Sequence, residues 1–163
     1  MSKSLKFFLA VLVTLVSLQA VAANEVSRVL DGKWSNPMQI TGNGSGFQEW
    51  NLWFDVRVAN LSPVKTVGIV WTDDAWATHR NAFLSYESTY PDGFEQWGVD
   101  ITPAGRFTFS RSANPTWTNQ FSGITTPNKT SVTIEYAIFY EVNGKTYWDN
   151  NKGQNYKVIV NSN

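Results

Sequence analysis

The stretch 131–149, SVTIEYAIFYEVNGKTYWD, leaves the chain little conformational choice. Two runs of alternating apolar and polar residues meet at Asn143-Gly144, and both central residues of a type I′ turn need a positive φ, which Asn and Gly tolerate best. A two-residue loop fixes the register of the resulting hairpin. Val142 faces Lys145, Tyr140 faces Tyr147 and Phe139 faces Trp148, and opposed residues share one face of a sheet. Val132, Ile134, Tyr136, Ile138, Tyr140 and Val142 make up the apolar face, so Tyr147 belongs with the core. Trp148 is then predicted on the opposite face beside Phe139, with Ala137 leaving a shallow place diagonal to it. Two readings of this ring pair stand: it caps a sheet edge or packs under the N-terminal segment, or it is exposed for a ligand.

The rest of the chain follows the same period. From Asn51, Leu52, Phe54, Val56 and Val58 alternate with Trp53, Asp55, Arg57 and Ala59, the pattern of a half-buried strand. Further strands are expected over 66–71, 82–87, 96–101, 106–110, 132–142, 145–148 and 156–160, separated by TDDAWATHRN, PDG and TTPNK. No window of a dozen residues shows helical spacing. The fold class is therefore all-β, an antiparallel β-sandwich. Residues 23–50 are polar, with one short strand expected over 38–41, and read as a loosely packed N-terminal extension before a domain over 51–163.

Residues 1–22 are set apart from the fold by the three-part layout of a secretory signal: Lys3 and Lys6, an apolar run over 7–16, and Ala20-Val21-Ala22 as a small-x-small cleavage site. The expected product is secreted or periplasmic, and the apolar run is too short to span a bilayer. Thirteen basic side chains less Lys3 and Lys6 leave eleven against thirteen acidic ones, a balance that does not suit a phosphate backbone. No nucleic-acid or membrane partner is expected. The absence of cysteine excludes a disulfide scaffold and thiol chemistry. Eight tryptophans in 163 residues are more than one small core accommodates, because each indole brings an N–H that wants a partner.

Catalytic signals are weak. His79 is the only histidine and sits in a polar loop; with no Cys it offers no metal cluster, and no nucleophile elbow supports a Ser-His-Asp triad. No cofactor is expected. Asp73, Asp74, Glu87, Asp92, Glu95, Asp100, Glu135, Glu141 and Asp149 could supply the carboxylate pair of a small secreted glycosidase, but most read as turn acceptors and surface charge. A calcium site at Asp149-Asn150-Asn151 would have one carboxylate, a poor cage.

Outward rings beside a carboxylate and amides suit a sugar, whose C–H face stacks on an aromatic and whose hydroxyls pair with amides. Two rings covering ~200 Å² of apolar surface would contribute ~5 kcal/mol. Set against an association cost of roughly 4–15 kcal/mol, that gives binding of about micromolar to millimolar strength once hydrogen bonds are added.

YEVNGKTYWDNNKGQNYKV resembles the C-terminal signature of carbohydrate-binding module family 21, the starch- and glycogen-binding domains of some fungal glucoamylases and of glycogen-targeting phosphatase subunits. VRVANLSPVKTVGIVWTDDAWATHRNAFLSYES is similar to the family's N-terminal half, and DGFEQWGVDI and IEYAIFYEV follow in the expected order, so the likeness runs from about Val56 to Val160. It implies an immunoglobulin-like β-sandwich, no catalysis, and binding of α-1,4-linked glucan (starch, glycogen or maltooligosaccharide). A site would be formed by Trp76 and Trp148 stacking on consecutive glucose units, Asn150 and Asn151 gripping hydroxyls, Asp149 as neighbour, and Phe139 substituting for an aromatic that some members carry where this chain has Ala137. For Trp76 alone, a plug over the sandwich end is the local reading, and the resemblance assigns it to ligand. A position of the second glucan site of the fungal members falls on Pro63, so one site is expected. Trp117, in the unmatched stretch 102–130, is expected to pin that loop. A separate amylolytic enzyme is a candidate partner, and an extracellular structural or interaction protein is the remaining alternative.

Overall fold

The computed structural model describes residues 25–42, 44–110 and 113–162. Residues 1–22, where a secretory signal is expected, lie outside the described residues. Twelve strands follow in chain order: β1 (Val26–Ser35), β2 (Gln39–Ile40), β3 (Gly46–Val58), β4 (Lys65–Thr72), β5 (Arg80–Phe83), β6 (Ser85–Thr89), β7 (Glu95–Ser110), β8 (Ala113–Asn119), β9 (Thr125–Thr126), β10 (Ser131–Val142), β11 (Lys145–Asp149) and β12 (Tyr156–Asn161). They form two antiparallel sheets. One runs β1-β3-β7-β8-β9, with β2 on β3 and β6 on β7; the other runs β11-β10-β4-β5, with β12 also on β10. This is the expected all-β sandwich, and the inner faces of β3 and β10 meet at its centre, where the Phe54 and Tyr136 rings lie edge-on with centroids 4.7 Å apart.

The Asn-Gly hairpin forms as read. Asn143 and Gly144 have φ of 51° and 71°, and the register pairs Val142 with Lys145, Tyr140 with Tyr147 and Phe139 with Trp148. Tyr147 stacks on buried Tyr140, whose hydroxyl donates to the Ala59 carbonyl at 2.6 Å.

Three expectations change. Residues 26–35 are not a loose extension: β1 pairs along β3 from Val26↔Val58 to Ser35↔Trp50, and Val26 joins the core. The strand β3 starts at Gly46, ahead of the apolar alternation, because its inward residue there is Gln48, buried and hydrogen-bonded to the Ser35 hydroxyl. A polar residue on the core face hid the period. The stretch 82–87 is not one strand. Leu84 is buried at a corner where the chain leaves β5 in one sheet and enters β6 in the other, a crossing common in sandwiches.

Charge is also used inside. The Lys65 ammonium meets Glu95 Oε2 at 2.7 Å with both side chains nearly sealed, and the Trp97 indole donates to the same oxygen at 2.9 Å. That satisfies a pair which would otherwise be costly to bury.

Candidate functional site

Along β10 even-numbered residues face the core, so Glu135, Ala137, Phe139 and Glu141 face outward. One edge of β10 pairs with β4. The other pairs with β11 over residues 138–142 and with β12 over 131–136, so the loop 150–155 crosses beside Ala137. The outward face is therefore an ordered grid. One row reads Trp148, Phe139, Gly68, Phe83. The next holds Ala137, Val70 and Asn81, with the loop at its end, and the third holds Lys157, Glu135 and Thr72.

Trp148 is 56% exposed on this face, its ring tilted against Phe139 at 5.8 Å between centroids. Phe139 is 6% exposed. Its ring lies over Gly68, where any Cβ would collide with it. Phe139 is thus a support beneath the exposed rings, which corrects its expected role as a contact residue.

Asp149 also changes role. It pairs with Ile138 and so turns to the core side, where its carboxylate accepts the Arg28 backbone N–H at 3.0 Å and the Tyr156 hydroxyl at 2.8 and 2.9 Å. Burial and that bond together push the Tyr156 hydroxyl up to about 12. Asp149 is a strut between sheets, not a group offered to ligand. The register that placed Trp148 outward required this, since adjacent strand residues face opposite sides.

Asn150 and Asn151 are exposed and build their own loop. Asn150 accepts the Gly153 N–H through its side chain and the Asn155 N–H through its carbonyl, and the Asn151 amide donates to the Asn155 carbonyl. Asn151, Lys152, Gly153 and Asn155 all have positive φ, the conformation that Asn and Gly adopt at least cost.

Trp76 lies in the loop between β4 and β5. The Asp74 carboxylate folds this loop by accepting the Thr72 and Thr78 hydroxyls and the Thr78 N–H, and Thr72 Oγ1 accepts the Trp76 N–H. Trp76 is half-buried at a φ of 68°, and its indole donates to Glu135 Oε2 at 2.9 Å. Lys157 meets the other Glu135 oxygen at 3.1 Å. Trp76 and Trp148 therefore share the outward face through different anchors: Trp76 bonds to Glu135 and Trp148 rests on Phe139, and these two residues are four apart, about 13 Å along β10 at ~3.3 Å per residue.

The indole N–H of Trp76, then Lys157, hold the Glu135 carboxyl below its usual range, against burial. A lowered folded-state value stabilises the folded loop above the usual carboxylate pKa and is lost as pH falls through the folded value. The Trp76 indole N–H resonance is expected to hold constant at neutral pH and shift below about pH 4.5. The Glu135→Gln variant should show no such transition; an identical one in that variant would place its origin elsewhere.

Other expected roles resolve simply. Trp117 is 2% exposed and donates to Asp73 Oδ2 at 2.8 Å, so it pins its stretch as expected. His79 is exposed. Among the described residues no group of three or more His, Asp or Glu could hold a metal ion. On the other sheet, Asp55, Glu87 and Asp100 line a shallow depression with Trp53; burial, then Asp100, raise the Asp55 carboxyl. The residue that sequence reasoning missed is Phe83, 61% exposed and in ring contact with Phe139. Its orientation depended on the break at Leu84, which the adjacent apolar pair Phe83-Leu84 could have signalled.

A sheet face bearing exposed rings and edged by amides defines a binding module. Residues 45–159 match the model of the Carbohydrate/starch-binding module (family 21), and the chain belongs to that family. It is 35% identical over 108 residues to protein phosphatase 1 regulatory subunit 3B of Bos taurus, covering 64% of this chain and 30% of that one. The Homo sapiens protein of that name is 36% identical over 107 residues, with coverage of 64% and 30%. The chain thus spans about a third of the length of these curated relatives. Among solved structures, similarity extends to the carbohydrate binding module of the muscle glycogen-targeting subunit of Protein Phosphatase-1, with 20% identity, a TM-score of 0.48 and coverage of 90% and 79%. The starch binding domain of Rhizopus oryzae glucoamylase, solved with beta-cyclodextrin and maltoheptaose, gives 19%, 0.42, 77% and 91%.

Proposed function

We propose that this protein is an exported, noncatalytic binder of α-1,4-linked glucan that takes the chain on the outward face of the β11-β10-β4-β5 sheet. The observation that carries the reading is Trp148, a ring more than half exposed on a rigid floor. Leaving such a ring in water forgoes ~1.5–3 kcal/mol of burial, which a stacked sugar recovers. Trp76 is the second ring, farther along the face, and Asn150 and Asn151 supply amides at the edge. The match of residues 45–159 to a carbohydrate/starch-binding family supports glucan over other sugars. Phosphatase association of the relatives is not carried over. Export rests on the leader at 1–22.

The test is co-sedimentation with insoluble starch. The protein is expected in the pellet, released by soluble maltoheptaose and absent from cellulose pellets. Recovery in the supernatant with starch, at concentrations up to millimolar, would overturn the proposal, and release of reducing sugar would favour a glycosidase.

A further inference from the structure

The row that carries Trp148 does not end at Phe139. It continues over Gly68 to Phe83, and the contacts are unbroken: Trp148 to Phe139 at 5.8 Å, and Phe139 to Phe83 at 6.1 Å in an edge-to-face pair. Its two ends are its most exposed parts, at 56% and 61%. Gly68 makes this possible, because the missing side chain lets the Phe139 ring settle between them. Resting on the glucan reading above, we propose that Phe83 is a further binding residue of the same site, and that it selects for longer chains by stacking a sugar unit remote from the one on Trp148.

The grid gives the physical reason. Trp148 on β11 and Phe83 on β5 are three strand spacings apart, about 14 Å at ~4.8 Å each, beyond the reach of one pyranose ring. The row between them is apolar and low. On one side it is edged by exposed Asn81 and the amide-rich loop 150–155, on the other by Thr66, Glu141 and Thr146. Rings on the floor with hydroxyl partners on both flanks fit a chain laid across the strands. Phe83 is more exposed than Trp76, whose indole N–H is already committed to Glu135.

The test compares chain lengths. Affinities for maltose and maltoheptaose are measured by calorimetry or NMR titration for the wild type, Phe83→Ala and Phe83→Tyr. Expected is a loss of about tenfold for maltoheptaose in Phe83→Ala, the scale of one phenyl face uncovered, with maltose within twofold of wild type and Phe83→Tyr retaining both. In the wild type the Phe83 ring resonances shift with maltoheptaose and not with maltose. Equal losses at both lengths would mean that Phe83 only props Phe139 and Trp148, and no loss at either would leave it outside the site; both overturn the inference while glucan binding stands. Failure of the wild type to bind either sugar removes the glucan reading itself.

Discussion

Replacing Asp73 by alanine is expected to destabilise the protein by about 3–5 kcal/mol, the usual cost of stripping the acceptor from a buried charged network. One oxygen of this carboxylate accepts both the Trp117 indole at 2.8 Å and the Asn119 amide at 2.6 Å. The other meets Arg80 at 3.2 Å, with the Asp73 side chain 6% exposed. Removing it leaves donors on β8 and β5 without a partner where water does not reach. Each costs ~1–3 kcal/mol, and more when charged. Against a total stability of roughly 5–15 kcal/mol that is a large share. Urea unfolding should show a lower midpoint with an unchanged slope, and Asp73→Asn should fall between, since an amide oxygen still accepts N–H bonds but gives up the ion pair. A loss below about 1 kcal/mol for the alanine variant would show that the network contributes little.

The Trp148→Ala variant should leave the fold nearly untouched and remove most of the glucan affinity. If the ring covers ~100 Å² of sugar, its loss costs ~2.5 kcal/mol, or roughly 50- to 100-fold. Where the starting affinity is about micromolar to millimolar, starch sedimentation would drop to background. The melting temperature should move little, because the ring is 56% exposed and its main contact is with Phe139 alone. Trp76→Ala should weaken binding less, since that indole is half-buried and hydrogen-bonded within the protein. Equal affinity of Trp148→Ala and wild type, with folding intact, would remove Trp148 from the site.

These two residues show where sequence reading succeeds and stops. Trp148 was placed correctly because its orientation is a local property: an Asn-Gly turn fixes register, register fixes face, and nothing distant intervenes. The same rule turned Asp149 inward, and a resemblance that grouped it with the site residues had to yield to it. Asp73 looked like one more loop acid, because its partners Trp117 and Asn119 are more than forty residues away in sequence. The depth of Phe139 was also hidden, for it depends on a glycine in a neighbouring strand.

The sequence by itself determined the all-β class, the hairpin and its register, the outward Trp148 and the likeness that leads to a carbohydrate-binding family, because each follows from period-two alternation, turn stereochemistry or motif order within a short span. Tertiary structure decided that β1 completes a sheet, that the chain changes sheets at Leu84 and so turns Phe83 outward, and that Trp76 is tied to Glu135 some 13 Å from the Trp148 row. Those outcomes depend on which strands become neighbours. Pairing between distant segments is chosen by the packing of the whole sandwich, and a single strand's alternation fixes which of its residues share a face but not what that face will meet.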